Sequence, residues 1–95
     1  MKVQYDTDFI DALKKVDVRI RRSFEETIKT FSKDPYDPSL NNHPLREPYQ
    51  NYRSIDITAD YRALYEEIHE EEEIAYFAAL GTHEQLYKKS VKKLN

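Results

Sequence analysis

The sequence has no cysteine and no tryptophan, and one glycine in 95 residues. The missing cysteines exclude disulfides, thiolate zinc sites and cysteine nucleophiles. A lone glycine cannot build a phosphate-cradling loop of the P-loop or dinucleotide type, which needs several. Long apolar runs are missing too. Nothing approaches the ~18–20 residues of a membrane-spanning helix, and the leading MKVQYDTDF carries no apolar secretory segment. These absences lead us to expect a cytoplasmic chain with no membrane partner. The length suits one domain, 1–95, with one modest core and a radius of gyration of roughly 12–13 Å.

Positive charge is also in deficit. Lys and Arg number 15 against 18 Asp and Glu, a formal net charge of −3, which taken globally argues against a polyanionic partner. The distribution changes that reading. Glu66, Glu67, Glu70, Glu71, Glu72 and Glu73 fall in one stretch, and without them 12 acids face 15 bases. Arg19, Arg21 and Arg22 cluster in the first half, and Lys88, Lys89, Lys92 and Lys93 lie near the end. The chain reads as a mildly basic body with one acidic tip, most simply a solvated turn.

Hydropathy spacing supplies the elements. Val3 and Tyr5 alternate with polar neighbours as in a short strand. Asp6 or Thr7 can cap a helix in which Phe9, Leu13 and Val16 share one face. Asp17 can end that helix or cap a second, whose Ile20, Phe24, Ile28 and Phe31 recur at helical spacing. All four prolines fall in the next stretch, DPYDPSLNNHPLREPYQN, long enough for a functional loop and with a possible helical turn around Pro38 to Leu40. Three strand signals follow. YRSIDI alternates, YRALYEEI pairs with it through Thr58, Ala59 and Asp60, and EIAYFAAL is apolar at both parities, as a strand covered on both faces would be. The acidic tip joins the last two strands. Gly81 is expected to break the third strand, and Thr82 to cap a final helix with Gln85 as its capping-box partner. The fold class is α+β: a small, mainly antiparallel sheet against an amino-terminal helical hairpin, with a short carboxy-terminal helix.

Residues suited to chemistry gather in the second half. His43 sits in the proline-rich loop as NNHPL, and His83 follows the glycine as GTHEQLY. Taken alone, each is most simply a surface histidine. Arg53, Asp56, Asp60, Arg62 and Tyr87 keep them company, and a helix starting near Thr82 puts His83 and Tyr87 one turn apart on one face. The segments HPL, NYRSIDITADYRALYEEI and GTHEQLY together resemble the YafQ-like branch of the RelE/ParE superfamily, toxins of type II toxin–antitoxin systems. The likeness is densest over 42–87 and extends in element order over the whole chain.

That resemblance implies an endoribonuclease that cuts mRNA on the ribosome, with an antitoxin protein as partner and no metal or other cofactor. It also implies an active site at four positions, matched here by His43, Asp60, His83 and Tyr87. One position departs from the pattern. Some members carry a histidine where this chain has Asp56, and an aspartate, ordinarily ionised at neutral pH, cannot serve there as the same acid. The residue types suit the reaction. Cleavage of RNA by its own 2′-hydroxyl needs a base, an acid and donors for the charge that builds on the phosphate. Histidine titrates near ~6.5 and can do either proton job. Asp60 can orient a histidine or act as base, and Tyr87 can stack on a splayed base. Arg46, Arg53 and Arg62, with Asp56 beside them, are the candidates for holding RNA, although alternation puts Arg53 on the side of Ile55. Arg19 and Arg22 suit either an antitoxin or ribosomal RNA. His69 among glutamates is a poor metal site. Two other readings use the same fold: a non-catalytic toxin of the ParE kind, or a degenerate module that only binds an antitoxin.

Overall fold

The computed structural model of the chain describes residues 1–47 and 49–86. Its elements are β1 (Lys2–Tyr5), α1 (Thr7–Lys15), α2 (Val18–Lys33), a 3-10 turn (Pro38–Leu40), β2 (His43–Pro44), β3 (Tyr52–Asp56), β4 (Tyr61–His69) and β5 (Glu73–Thr82). Residues 83–86 begin a further helix, while Tyr87 and the lysines after it lie outside the described residues. The Cα radius of gyration is 12.7 Å.

The helix limits follow from their caps. Asp6 accepts from the Asp8 N–H at 2.9 Å and opens α1. Asp17 accepts from the Arg19 N–H at 2.7 Å and opens α2, so of the two roles available to Asp17 it takes the second. Between them Arg21 reaches back to the Leu13, Lys14 and Val16 carbonyls at 3.2, 3.1 and 3.3 Å. That cation satisfies acceptors that the end of α1 would otherwise leave bare.

The five strands form one sheet in the order β1-β5-β4-β3-β2, with β1 parallel to β5 and the other pairs antiparallel. The helical hairpin covers one face. Phe9, Phe24 and Phe31 from the helices meet Ile55, Ala63, Tyr65, Ala75, Phe77 and Leu80 from the sheet, all buried. Rings of Phe9, Phe24, Phe31 and Tyr65 surround Phe77 with centroids 5.2–6.3 Å away, mostly tilted or edge-on, as aromatic quadrupoles prefer.

Strand β5 explains its mixed apolar pattern. The register slips between Leu64 and Tyr65, which face Ala79 and Phe77. The extra residue is a β-bulge that shifts which parity faces the core. Ala75 and Phe77 point to the helices before it and Leu80 after it. Gly81 departs from its expected role. The strand runs through it to Thr82, and no positive φ is involved. What its missing side chain provides is room. A Cβ there would lie 3.2 Å from Gln85 Oε1 and 3.4 Å from Leu86 Cδ2, so the following helix folds down onto the strand at this point.

Candidate active site

The proline-rich segment aims His43. Asp37 caps the 3-10 turn through the Ser39 N–H at 2.9 Å, with Pro38 at its first position. Asn41 then takes the left-handed conformation, φ 48° and ψ 44°, which asparagine tolerates better than most residues. The chain reverses there into β2, a two-residue edge strand, the kind of place where a proline such as Pro44 costs no ladder bond. His43 stands opposite Ser54, on the sheet face turned away from the helices. Its Nδ1 lies 2.8 Å from the Asn41 carbonyl oxygen. A carbonyl only accepts, so Nδ1 carries the hydrogen, and in the neutral ring Nε2 is left with its lone pair.

His83 comes to the same face from the far end of β5. Thr82 and Gln85 form the expected capping box: the Thr82 N–H donates to Gln85 Oε1 at 3.0 Å and the Gln85 N–H to Thr82 Oγ1 at 3.1 Å. The His83 N–H donates to the Asp60 carbonyl at 3.2 Å, which ties the helix start to the β3–β4 turn. Arg62 holds that turn. Its Nη1 donates to the Thr58, Ala59 and Tyr61 carbonyls at 2.9, 3.0 and 3.1 Å. Its Nε lies 2.9 Å from Asp56 Oδ1 in a part-buried ion pair. The contact is one of charge rather than hydrogen-bond alignment, since Asp56 Oδ1 is buried with no hydrogen-bond partner among the described residues. Asp56 Oδ2 meets Asn41 Nδ2 at 3.4 Å, linking the two histidine supports.

These elements enclose a cavity of about 170 Å³ lined by Asn41, His43, Ser54, Arg62, Leu64, His83 and Leu86. Of the residues singled out in the sequence, it brings together His43, His83 and Arg62. Asp56 sits behind Arg62. Asp60 contributes its backbone carbonyl to His83, while the residue is exposed and does not line the cavity. Arg46 is exposed beyond β2. Arg53 pairs across from Tyr65, so it points to the opposite face, where it bonds Asn42 and stacks over Tyr36. Tyr87 lies outside the described residues. His69 pairs with Glu73 in the acidic turn, at the other end of the β4–β5 hairpin from Thr82. Asn41, Ser54, Leu64 and Leu86 line the cavity, and Asn42 adjoins it in the chain, yet sequence reasoning passed over them. The one signal for the two asparagines is the NNH run inside the proline-rich stretch, where an asparagine invites a left-handed residue, and Ser54 carries none.

No protein-family model and no curated protein sequence matches the chain. Solved structures do match. The chain is similar to the YoeB/ParE toxin from Agrobacterium tumefaciens at a TM-score of 0.72 and 21% identity, covering 87% of this chain and 99% of that one. It is similar to YafQ from E. coli at a TM-score of 0.73 and 18% identity, covering 90% and 97%. The toxin–antitoxin complex RelBE2 from Mycobacterium tuberculosis gives 0.69 and 24%, covering 86% and 96%. The chain therefore has the fold of the RelE/ParE-type toxins, as its motifs led us to expect.

Proposed function

We propose that this protein is the toxin of a type II toxin–antitoxin pair and acts as an endoribonuclease on mRNA held by the ribosome. One observation carries the catalytic part: His43 and His83, from segments 40 residues apart in numbering, share the wall of one cavity with Arg62. In the proposed reaction a ribose 2′-oxygen attacks the adjacent phosphorus. The bond to the 5′-oxygen breaks, leaving a 2′,3′-cyclic phosphate and a free 5′-hydroxyl. His43 fits the base, because its Nδ1–H is engaged and Nε2 is the nitrogen with a lone pair. His83, exposed at a helix start, fits the acid that protonates the leaving 5′-oxygen. Arg62 lines the same cavity and fits the cation for the charge that develops on the phosphate, with its Nε already paired to Asp56. The partner reading is supported by the fold shared with the DinJ–YafQ complex and with RelBE2.

The test is expression with and without the product of the neighbouring gene, with mRNA 5′ ends mapped. The proposal predicts growth arrest with new 5′ ends inside translated messages, both abolished by His83→Ala and by His43→Ala. Arrest with intact transcripts would instead point to a non-catalytic toxin on this fold. Loss of neither activity in the histidine variants would reject the site.

A further inference from the structure

Behind β2, on the helix-covered side, Asn42 is the centre of a polar cluster that the reaction scheme does not use. Its Nδ2 donates to the Pro35 carbonyl and to the Tyr65 hydroxyl, both at 2.7 Å. Its Oδ1 accepts from Arg53 Nε at 2.8 Å. The amide orientation is set by chemistry, since a guanidinium only donates and a carbonyl only accepts. Arg53 in turn stacks over the Tyr36 ring, 5.3 Å from its centroid, and the Tyr36 hydroxyl donates to Glu67 at 3.2 Å. Tyr65 is fully buried, and burial pushes its phenol up, so the hydroxyl stays protonated. One side chain thus joins both ends of the segment between α2 and β2 to β3 and β4.

The residue after Asn42 is His43, and the residue before it supplies the carbonyl that holds His43 Nδ1. We propose that Asn42, anchored by Arg53 and Tyr65, is a positioning residue for His43. It locks residues 41–43 so that the Asn41 carbonyl fixes the Nδ1–H tautomer and turns Nε2 into the cavity. This rests on the catalytic reading above for its effect on rate, but not for its effect on the ring. Arg53 then acts through structure from the far face of the sheet rather than by touching RNA. Part-buried networks of this kind constrain geometry, because an unmatched member is costly.

The experiment uses the purified chain and two readouts. The first is ¹⁵N NMR of the His43 ring in wild type, Asn42→Ala, Asn42→Asp and Tyr65→Phe, with backbone spectra to establish folding. The second is single-turnover cleavage of ribosome-bound mRNA across pH. Wild type should show the Nδ1–H tautomer. Asn42→Ala should lose it while folded, slow the saturated rate between about tenfold and a hundredfold, and leave half-saturation unchanged. Asn42→Asp keeps the Arg53 bond and should recover part of both. Should Asn42→Ala not fold, Tyr65→Phe, which removes one hydroxyl, should shift the tautomer balance in the same direction. Variants that fold, retain the wild-type tautomer and cleave within twofold of wild type overturn the proposal. A wild type that cleaves nothing refutes the ribonuclease reading instead, and the ring spectra still decide the role of Asn42.

Discussion

Asp56 is a half-buried carboxylate at the end of β3. The motif marks it as a departure, an acid where some of the toxins that the sequence resembles carry a histidine. In the fold it is the counter-ion of Arg62, and Arg62 ties down the turn whose Asp60 carbonyl holds His83. Its main contribution is therefore placement. Removing one partner of a part-buried pair leaves the other uncompensated, so Asp56→Ala should cost about 1–2 kcal/mol, between the values for exposed and buried pairs, measurable by urea denaturation. If the proposed cleavage is the activity, it should fall further than stability alone accounts for, because the His83 support loosens. Gly81 offers a second residue-scale prediction. Gly81→Ala should lower thermal stability slightly, since the nearest atom, 3.2 Å away, is the Gln85 Oε1 that accepts from the Thr82 N–H. Gly81→Leu, which collides with Leu86, should detach the helix start and abolish cleavage.

At the scale of elements, the helices were readable because their signals are local. Stripes at 3.6-residue spacing and an aspartate before each run specify α1 and α2 without reference to the rest of the chain. The hydrogen bond from the Arg19 N–H holds the Asp17 carboxyl below its ordinary value. The Ser39 hydroxyl does the same for Asp37. A depressed folded value means that the cap stabilises above the unfolded value, and that this contribution is lost as pH falls through the folded one. Acid unfolding followed by circular dichroism should therefore be less steep below about pH 4 in Asp17→Asn. Stability near pH 7 should change little, because asparagine caps comparably. Strand β5 was readable only in part. Its apolar residues at both parities fit a doubly covered strand, but the bulge that switches parity depends on pairing with β4. The break expected at Gly81 failed for a related reason: glycine served close packing against residues 85 and 86, and composition alone does not distinguish that from a turn.

For the whole molecule, the acidic tip and the cavity stand at opposite ends of the β4–β5 hairpin, His69 facing Glu73 at one and Tyr61 facing Thr82 at the other. Eight residue steps of about 3.3 Å separate them by about 26 Å. That is roughly three Debye lengths at physiological salt, so the tip should hardly influence an RNA at the cavity. Replacing Glu70, Glu71 and Glu72 together with Gln should change kcat/KM for ribosome-bound mRNA by less than about twofold at 0.15 M salt. The difference should grow near 0.01 M, where the screening length reaches about 30 Å.

The sequence by itself determined the excluded chemistries, the two helices with the candidates for their caps, the capping box at Thr82 and Gln85, the concentration of acid in one turn, and the motif that leads to this fold. Each depends on residue type or short-range spacing, which a linear chain displays. Tertiary structure alone decided that His43 and His83 share a cavity, that Arg62 is spent on a turn and on Asp56, that Arg53 faces the helices, and that Asn42 grips the loop before His43. Those facts depend on strand register, on one bulge and on which face each side chain takes. All three are set by pairing between segments distant in sequence.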